Sequence, residues 1–181
     1  MDAPEFYNIA RRYDINALGC TAQAALETGW FSAPLMLSSH NYWGIKCTPR
    51  WRRLGGRCFD ANTWEEKNDV VLKVKGSGFA LFDSDNEALT EYSSLIRRLY
   101  RLSYDGRNCV WLYIAWLSWK RKWASDRKYI EKLAHVAFDV AKKIGISKNH
   151  LNNSLTYAIE NGLIGGNLEI ISRVVREELS E

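Results

Sequence analysis

Between residues 42 and 82 the sequence drops the helical rhythm that governs it on either side, and this interruption limits the fold more than any other feature. Short runs such as Arg57-Cys58-Phe59 and Val70-Val71-Leu72-Lys73-Val74 are punctuated by Gly55, Gly56, Asn62, Asn68, Asp69, Gly76 and Gly78. That pattern predicts a small antiparallel hairpin or three-stranded sheet. Before it, helices are expected over 4–13, with Pro4 in the first turn, and from 17 to 28, closed by Gly29. A short helical turn is expected over 32–37. After it, Leu89, Tyr92, Leu95, Ile96 and Leu99 fall on one face of a helix with Asp85 as its N-cap. Further helices are expected over 110–120, 127–144, 148–161 and 167–179. The chain therefore reads as α+β and mostly helical, with a β lobe at about 45–82 and a closing helical pair.

At 181 residues, 46% of them hydrophobic and 25% charged, the chain is long enough to bury a real core in one domain. Aromatic residues reach 13%, with eight Trp and nine Tyr. Most of these rings belong in the core, and a minority suit a groove that packs on sugar faces. The net charge of +4 is mild, and the basic clusters at Arg50, Arg52, Arg53 and Arg57 and at Lys120, Arg121 and Lys122 come without a DNA- or RNA-binding motif. No nucleic acid is expected as a partner. No apolar stretch approaches the roughly 20 residues that span a bilayer, so no stable membrane insertion is expected. The start, Met1-Asp2-Ala3-Pro4-Glu5, is acidic and has no apolar signal core. The four Cys form no C-x-x-C pair and the three His are scattered, so neither a metal site nor another cofactor is expected. Cys20 and Cys109 read as small core residues. Cys47 and Cys58 flank a Gly- and Arg-rich turn, where a disulfide and two free thiols are both open readings.

Chemistry concentrates in Ala22-Gln23-Ala24-Ala25-Leu26-Glu27-Thr28-Gly29-Trp30. Here a carboxylate sits in the last turn of a helix among Ala, Leu and Trp. Apolar burial and the negative end of the helix dipole both disfavour its ionisation. A Glu that keeps its proton near neutral pH is what a glycosidic leaving oxygen needs as general acid. Asn41-Tyr42-Trp43-Gly44-Ile45-Lys46 follows after a short gap, then Trp51, Thr63-Trp64-Glu65, Gly78-Phe79-Ala80-Leu81-Phe82-Asp83-Ser84, and Trp123-Ala124-Ser125-Asp126-Arg127-Lys128-Tyr129-Ile130-Glu131-Lys132-Leu133. In this order the segments resemble glycoside hydrolase family 73, the endo-β-N-acetylglucosaminidases of bacterial autolysins, the flagellar rod-cap hydrolase and some phage lysins.

The resemblance spans roughly residues 4–145 and implies a lysozyme-like fold, with helical and β lobes flanking a cleft. It implies a catalytic domain over 1–145 and a C-terminal helical extension over 146–181. It makes Glu27 the general acid and Glu65 the second carboxylate, one that steers a water or steadies the oxocarbenium ion. Asn41, Trp43, Trp123 and Tyr129 fall where the family lines its cleft, with a pure core role also open for Trp43 and with Trp123 replacing the family's usual Tyr. The implied substrate is the β-1,4-linked glycan strand of peptidoglycan, met at the bacterial cell wall after holin release, from a virion, or from a chain trimmed of its leader. A lysozyme-like muramidase or lytic transglycosylase is the rival within enzymes, and an inactive wall-binding or virion module the rival outside them. In the tail, Asn152, Leu155, Ile159 and Leu163, then Leu168, Ile171, Val174, Val175 and Leu179, fall at helical spacing. These faces are expected to fold back on the catalytic lobe or to contact a second copy or another virion or wall protein.

Overall fold

Asn16 opens the helix around which the rest of the chain is packed. Its side chain accepts from Gly19 N at 2.7 Å and donates to Arg107 O at 2.8 Å, which caps helix α2 (Ala17–Glu27) and ties it to a distant turn. In the computed structural model α2 buries Cys20, Ala22, Gln23, Ala24 and Ala25 completely. Small side chains all round let neighbouring helices come close. Gly19 shows the tightest approach: a Cβ there would lie 2.5 Å from the Tyr113 ring. Helix α1 (Ala3–Ala10), with a capping box between Asp2 and Glu5, lays Phe6 against Phe31, Tyr42 and Trp43.

The structure describes the backbone of residues 1–67, 70–118, 123–162 and 164–180, and the side chains of the same residues except 62–77. The basic run at 120–122 and Leu163 lie outside the described residues.

After α2 come two short helices, α3 (Pro34–Ser38) and α4 (Pro49–Arg53), then strands β1 (Arg57–Lys67) and β2 (Val70–Leu81). The two strands pair antiparallel from Arg57↔Leu81 to Lys67↔Val70, with an irregularity between Ala61 and Thr63. The expectation of a hairpin or a three-stranded sheet resolves to two strands. The would-be third is a single bridge, Lys46↔Phe79, flanked by Cys47 N→Gly78 O and Ala80 N→Ile45 O bonds. Helix α4 went unread because a five-residue turn carries too few positions for a period to show. Thr48 caps it by accepting from Trp51 N. Cys47 and Cys58 are joined in a disulfide with their Cα atoms 5.8 Å apart.

Helices α5 (Asp85–Leu99), α6 (Arg101–Asp105), α7 (Val110–Trp116) and α8 (Tyr129–Lys143) complete the wall around α2. Ser84, not Asp85, is the N-cap of α5: its hydroxyl accepts from Glu87 N, while Asp85 takes the first helical position and accepts from Tyr42 Oη and bonds His40 Nδ1. The short α6 was missed for the same reason as α4. Fully buried Leu89, Ile96, Trp111, Ile114, Leu117 and Leu133 fill the space between these helices. Each such side chain contributes on the order of 1.5–3 kcal/mol by leaving water.

The last helices, α9 (Lys148–Glu160) and α10 (Gly166–Ser180), fold back on α7 and α8. The buried face of α9 is Leu151, Leu155 and Ala158, one position from the stripe read in the sequence, and Ile159 is 48% exposed. Spacings of four and three accommodate either stripe, and Ala158 gives little hydropathy signal. In α10 Ile171, Val174 and Val175 are buried as expected, whereas Leu179 is exposed. Trp111 donates to Leu151 O at 2.8 Å, Asn167 donates to Ala115 O at 2.8 Å, and Arg173 pairs with Glu131. No helix among the described residues is long and apolar enough to cross a membrane.

Candidate active site

Helix α2 ends at Glu27 because the chain turns left-handed immediately after it. Gly29, Trp30 and Phe31 have φ of 58°, 62° and 60°. For the two non-glycine residues this costs about 1–2 kcal/mol each. Thr28 holds the turn, donating to Ala24 O at 2.7 Å and accepting from Phe31 N at 2.8 Å. Phe31 is then pinned in the aromatic cluster around Phe6. Glu27 is thereby presented at a fixed helix end, with backbone strain beside it offset by packing.

Tyr129, the first residue of α8, donates its hydroxyl to Glu27 Oε1 at 2.9 Å. The Trp123 indole lies near the Glu27 carboxyl, and its ring leans on Tyr92 and Tyr100 with centroids 5.8 Å and 5.2 Å away. Burial is the largest influence on Glu27 and raises its pKa above 4.5, while Tyr129 and Trp123 pull it down. The balance favours the protonated acid.

Asn41 and Trp43 were expected where the family lines its cleft, and the structure buries both. Asn41 is wholly buried, and its amide is consumed by backbone: it donates to Ile45 O and Ala80 O and accepts from Ile45 N, all at 2.8–2.9 Å. No polar atom is left for a ligand. Trp43 is 2% exposed, stacks on Tyr92 at 4.0 Å and donates to Cys20 O at 3.3 Å. Both residues hold the start of the β lobe against the helical lobe. Glu65 lies in β1 opposite Leu72, and its side chain, with that of Glu66, lies outside the described residues. The structure thus brings Glu27, Trp123 and Tyr129 together.

Reading the sequence missed Gln23, Tyr92 and Tyr113, whose polar atoms are buried directly behind Tyr129. A signal existed for Gln23, an amide in an Ala-rich helix whose other positions before Glu27 are all small or apolar. Tyr92 was read only as part of an apolar face. Among the described residues no group of His, Cys, Asp and Glu is placed to hold a metal ion.

An α-helical lobe packed around one helix-terminal acid, with a small antiparallel hairpin beside it, defines the lysozyme-like class of folds. Residues 3–141 match the model of the glucosaminidase family, described as mannosyl-glycoprotein endo-beta-N-acetylglucosaminidase. The chain belongs to this family of glycoside hydrolases, family 73. It is 28% identical over 140 residues to the peptidoglycan hydrolase FlgJ of Pseudomonas aeruginosa, covering 74% of this chain and 34% of that protein. The chain thus spans about a third of that relative's length. Its structure resembles a peptidoglycan hydrolase mutant from Sphingomonas sp. A1, with 25% identity, a TM-score of 0.63, and coverage of 86% of this chain and 96% of that one. It also shares its fold with a C-terminally truncated glycoside hydrolase domain of FlgJ from Salmonella typhimurium, with 24% identity, a TM-score of 0.56, and coverage of 78% and 99%.

Proposed function

We propose that this chain hydrolyses the β-1,4 glycosidic bonds of peptidoglycan as an endo-β-N-acetylglucosaminidase, with Glu27 as the general acid. The observation that carries the reading is the environment of Glu27: a carboxyl at a helix end whose burial favours the protonated form and whose orientation is held by Tyr129. Such a group can protonate the leaving oxygen as the glycosidic bond breaks. Glu65, from the β lobe, is the second carboxylate of the proposal. It steers a water or steadies the oxocarbenium ion. Trp123, partly exposed beside Glu27, is the aromatic wall of the subsite. The relatives' names, both peptidoglycan hydrolases, support the substrate class and a place of action at the bacterial cell wall. Residues 1–145 then form the catalytic unit and 146–181 an extension of its core.

Mass spectrometry of peptidoglycan digested by the purified chain tests this reading. New reducing-end N-acetylglucosamine is the expected product. Reducing or anhydro N-acetylmuramic acid ends would reassign the chain as a muramidase or lytic transglycosylase, and an undigested wall would leave it a binding module.

A further inference from the structure

Behind Glu27 four buried polar side chains join end to end, one from each of four helices. Tyr113 of α7 lies 2.5 Å from the Tyr92 hydroxyl of α5, Tyr92 donates to Gln23 Oε1 of α2 at 2.5 Å, and Gln23 Nε2 donates to the Tyr129 hydroxyl of α8 at 2.9 Å. Tyr129 closes the run on Glu27 Oε1. Gln23, Tyr92 and Tyr113 have no solvent exposure. Their polar atoms could not be buried at tolerable cost unless bonded.

The direction of the run follows from donor chemistry. A carbonyl oxygen cannot donate, so Tyr92 must give its hydrogen to Gln23 and accept the hydrogen of Tyr113. The Gln23 amide N–H occupies the Tyr129 oxygen, which leaves the Tyr129 hydrogen for Glu27. Turning the amide over would reverse every bond and point the Tyr113 hydrogen elsewhere. Among the described residues Tyr92 is its only hydrogen-bond partner. A buried hydroxyl hydrogen without an acceptor is unfavourable, so the run holds one orientation. Its rings are also wedged in place: Trp43 stacks on Tyr92, and the Tyr113 ring occupies the space left by the missing Cβ of Gly19.

We propose that Tyr113, Tyr92 and Gln23 are positioning residues that fix the Tyr129 hydrogen on Glu27 Oε1, so that the acid carries its own proton on Oε2 and delivers it from there. This rests on the reading of Glu27 as general acid. Around Glu27 and the run, the titratable groups among the described residues are Tyr129, Tyr92, Tyr113 and Cys20, and burial pushes all four up. They stay neutral, and Glu27, raised by the same burial, is the carboxylic acid of this cluster.

Tyr92→Phe is the informative variant, because it keeps the ring and its stack on Trp43 while removing the hydroxyl. The Gln23 amide is then free to turn and take the Tyr129 hydrogen onto its carbonyl, and Glu27 loses a donor that favours its anion. In protein labelled with ¹³C at glutamate, the Glu27 carboxyl carbon should titrate at higher pH than in the wild type. The upper limb of the kcat/KM profile should move the same way, and kcat should fall about fivefold to tenfold at unchanged KM, as expected for one hydrogen bond. Tyr113→Phe should act in the same direction but less, since Tyr92 keeps its own donor, and it serves as the second variant should Tyr92→Phe not fold. In a Gln23→Leu background Tyr92→Phe should add nothing, because the amide it acts through is gone. A folded Tyr92→Phe or Tyr113→Phe protein in which Glu27 titrates as in the wild type would overturn the proposal, as would fully additive effects in the double variant. The NMR titration needs no substrate. Its failure is therefore distinct from that of the glycosidase reading, which falls if the wild type leaves peptidoglycan intact.

Discussion

Glu27 rises from a floor of fully buried side chains contributed by α2, α5, α7 and α8, whereas Glu65 stands on a two-stranded ribbon whose anchors gather at its base. Those anchors are the Cys47–Cys58 disulfide, the Lys46↔Phe79 bridge, and the Asn41 amide bonded to Ile45 and Ala80. The first arrangement dries and fixes a group. The second carries one out on a short lever, since a two-stranded ribbon is marginally stable unless something holds it. In the roles proposed for them, Glu27 needs a raised pKa and one orientation, and Glu65 needs access to water. Asn41 and Trp43 are where the two regions meet, and this is why they are buried.

The largest effect should come from the dry side. Glu27→Gln is nearly isosteric and cannot donate a proton usefully, so release of glycan fragments should fall about 10²–10⁴-fold with the fold retained. Glu65→Gln should cost less if the substrate's own acetamido group is the nucleophile. Equal losses in the two variants would erase the proposed asymmetry, and a damaging Glu66→Gln beside a mute Glu65→Gln would shift the site by one residue along β1. Asn41→Ala attacks the junction. It leaves the Ile45 N–H and the Ala80 carbonyl without their partner, at about 1–3 kcal/mol for each group left dry, while the Ile45 carbonyl keeps its bond from Ala80 N. Denaturant unfolding should show a loss of about 2 kcal/mol or more. Unchanged stability would mean that water replaces the amide and the junction is open.

What could be read in the sequence follows from which residues carry a period or an environment of their own. The long helices and the hairpin announced themselves by spacing and by clustered Gly and Asn. Helices α4 and α6, five residues each, are too short for that. Glu27 could be singled out as a candidate because it stands among Ala, Leu and Trp at a helix end, an environment set by its own neighbours. Asn41 was misplaced because its surroundings are assembled from Ile45 and Ala80, the latter 39 positions away. The buried run behind Tyr129 was hidden for the same reason: Tyr92 and Tyr113 look like core aromatics until four helices bring their hydroxyls together. Local pattern finds a group that shapes its own surroundings, and long-range contact is needed to find one whose surroundings come from elsewhere.

On the ribbon side, Cys47→Ser or reduction should remove roughly 3 kcal/mol for a loop of this length in the chain-entropy picture. That corresponds to a fall of roughly 6–12 °C in Tm for a chain of this size. A thermal melt with and without reductant measures it. Loss of activity should follow loss of the ribbon's anchorage, while the titration of Glu27 should not change. A moved Glu27 titration in the reduced protein would show that the floor and the ribbon are coupled more tightly than their separate construction implies.

The smallest expected effect is a pH-dependent gap in stability. Burial raises the pKa of Glu27 in the folded chain above its ordinary 4.5, so the folded state holds this proton more tightly than the unfolded one. The stability it contributes is therefore complete below about pH 4.5 and is lost as pH rises through the folded-state value. Glu27→Gln does not titrate. The variant should match the wild type most closely near pH 4 and pull ahead above it, by at most about 1.4 kcal/mol for each pH unit of the window, with the gap then levelling off. Chemical denaturation at a series of pH values measures the difference directly. Cys47→Ser, measured alongside, should instead stay parallel to the wild type throughout, because the bridge carries no proton. A Glu27→Gln gap that is constant from pH 4 to pH 8 would mean that Glu27 is not held as a buried acid, and the contrast between the two regions would lose its electrostatic basis.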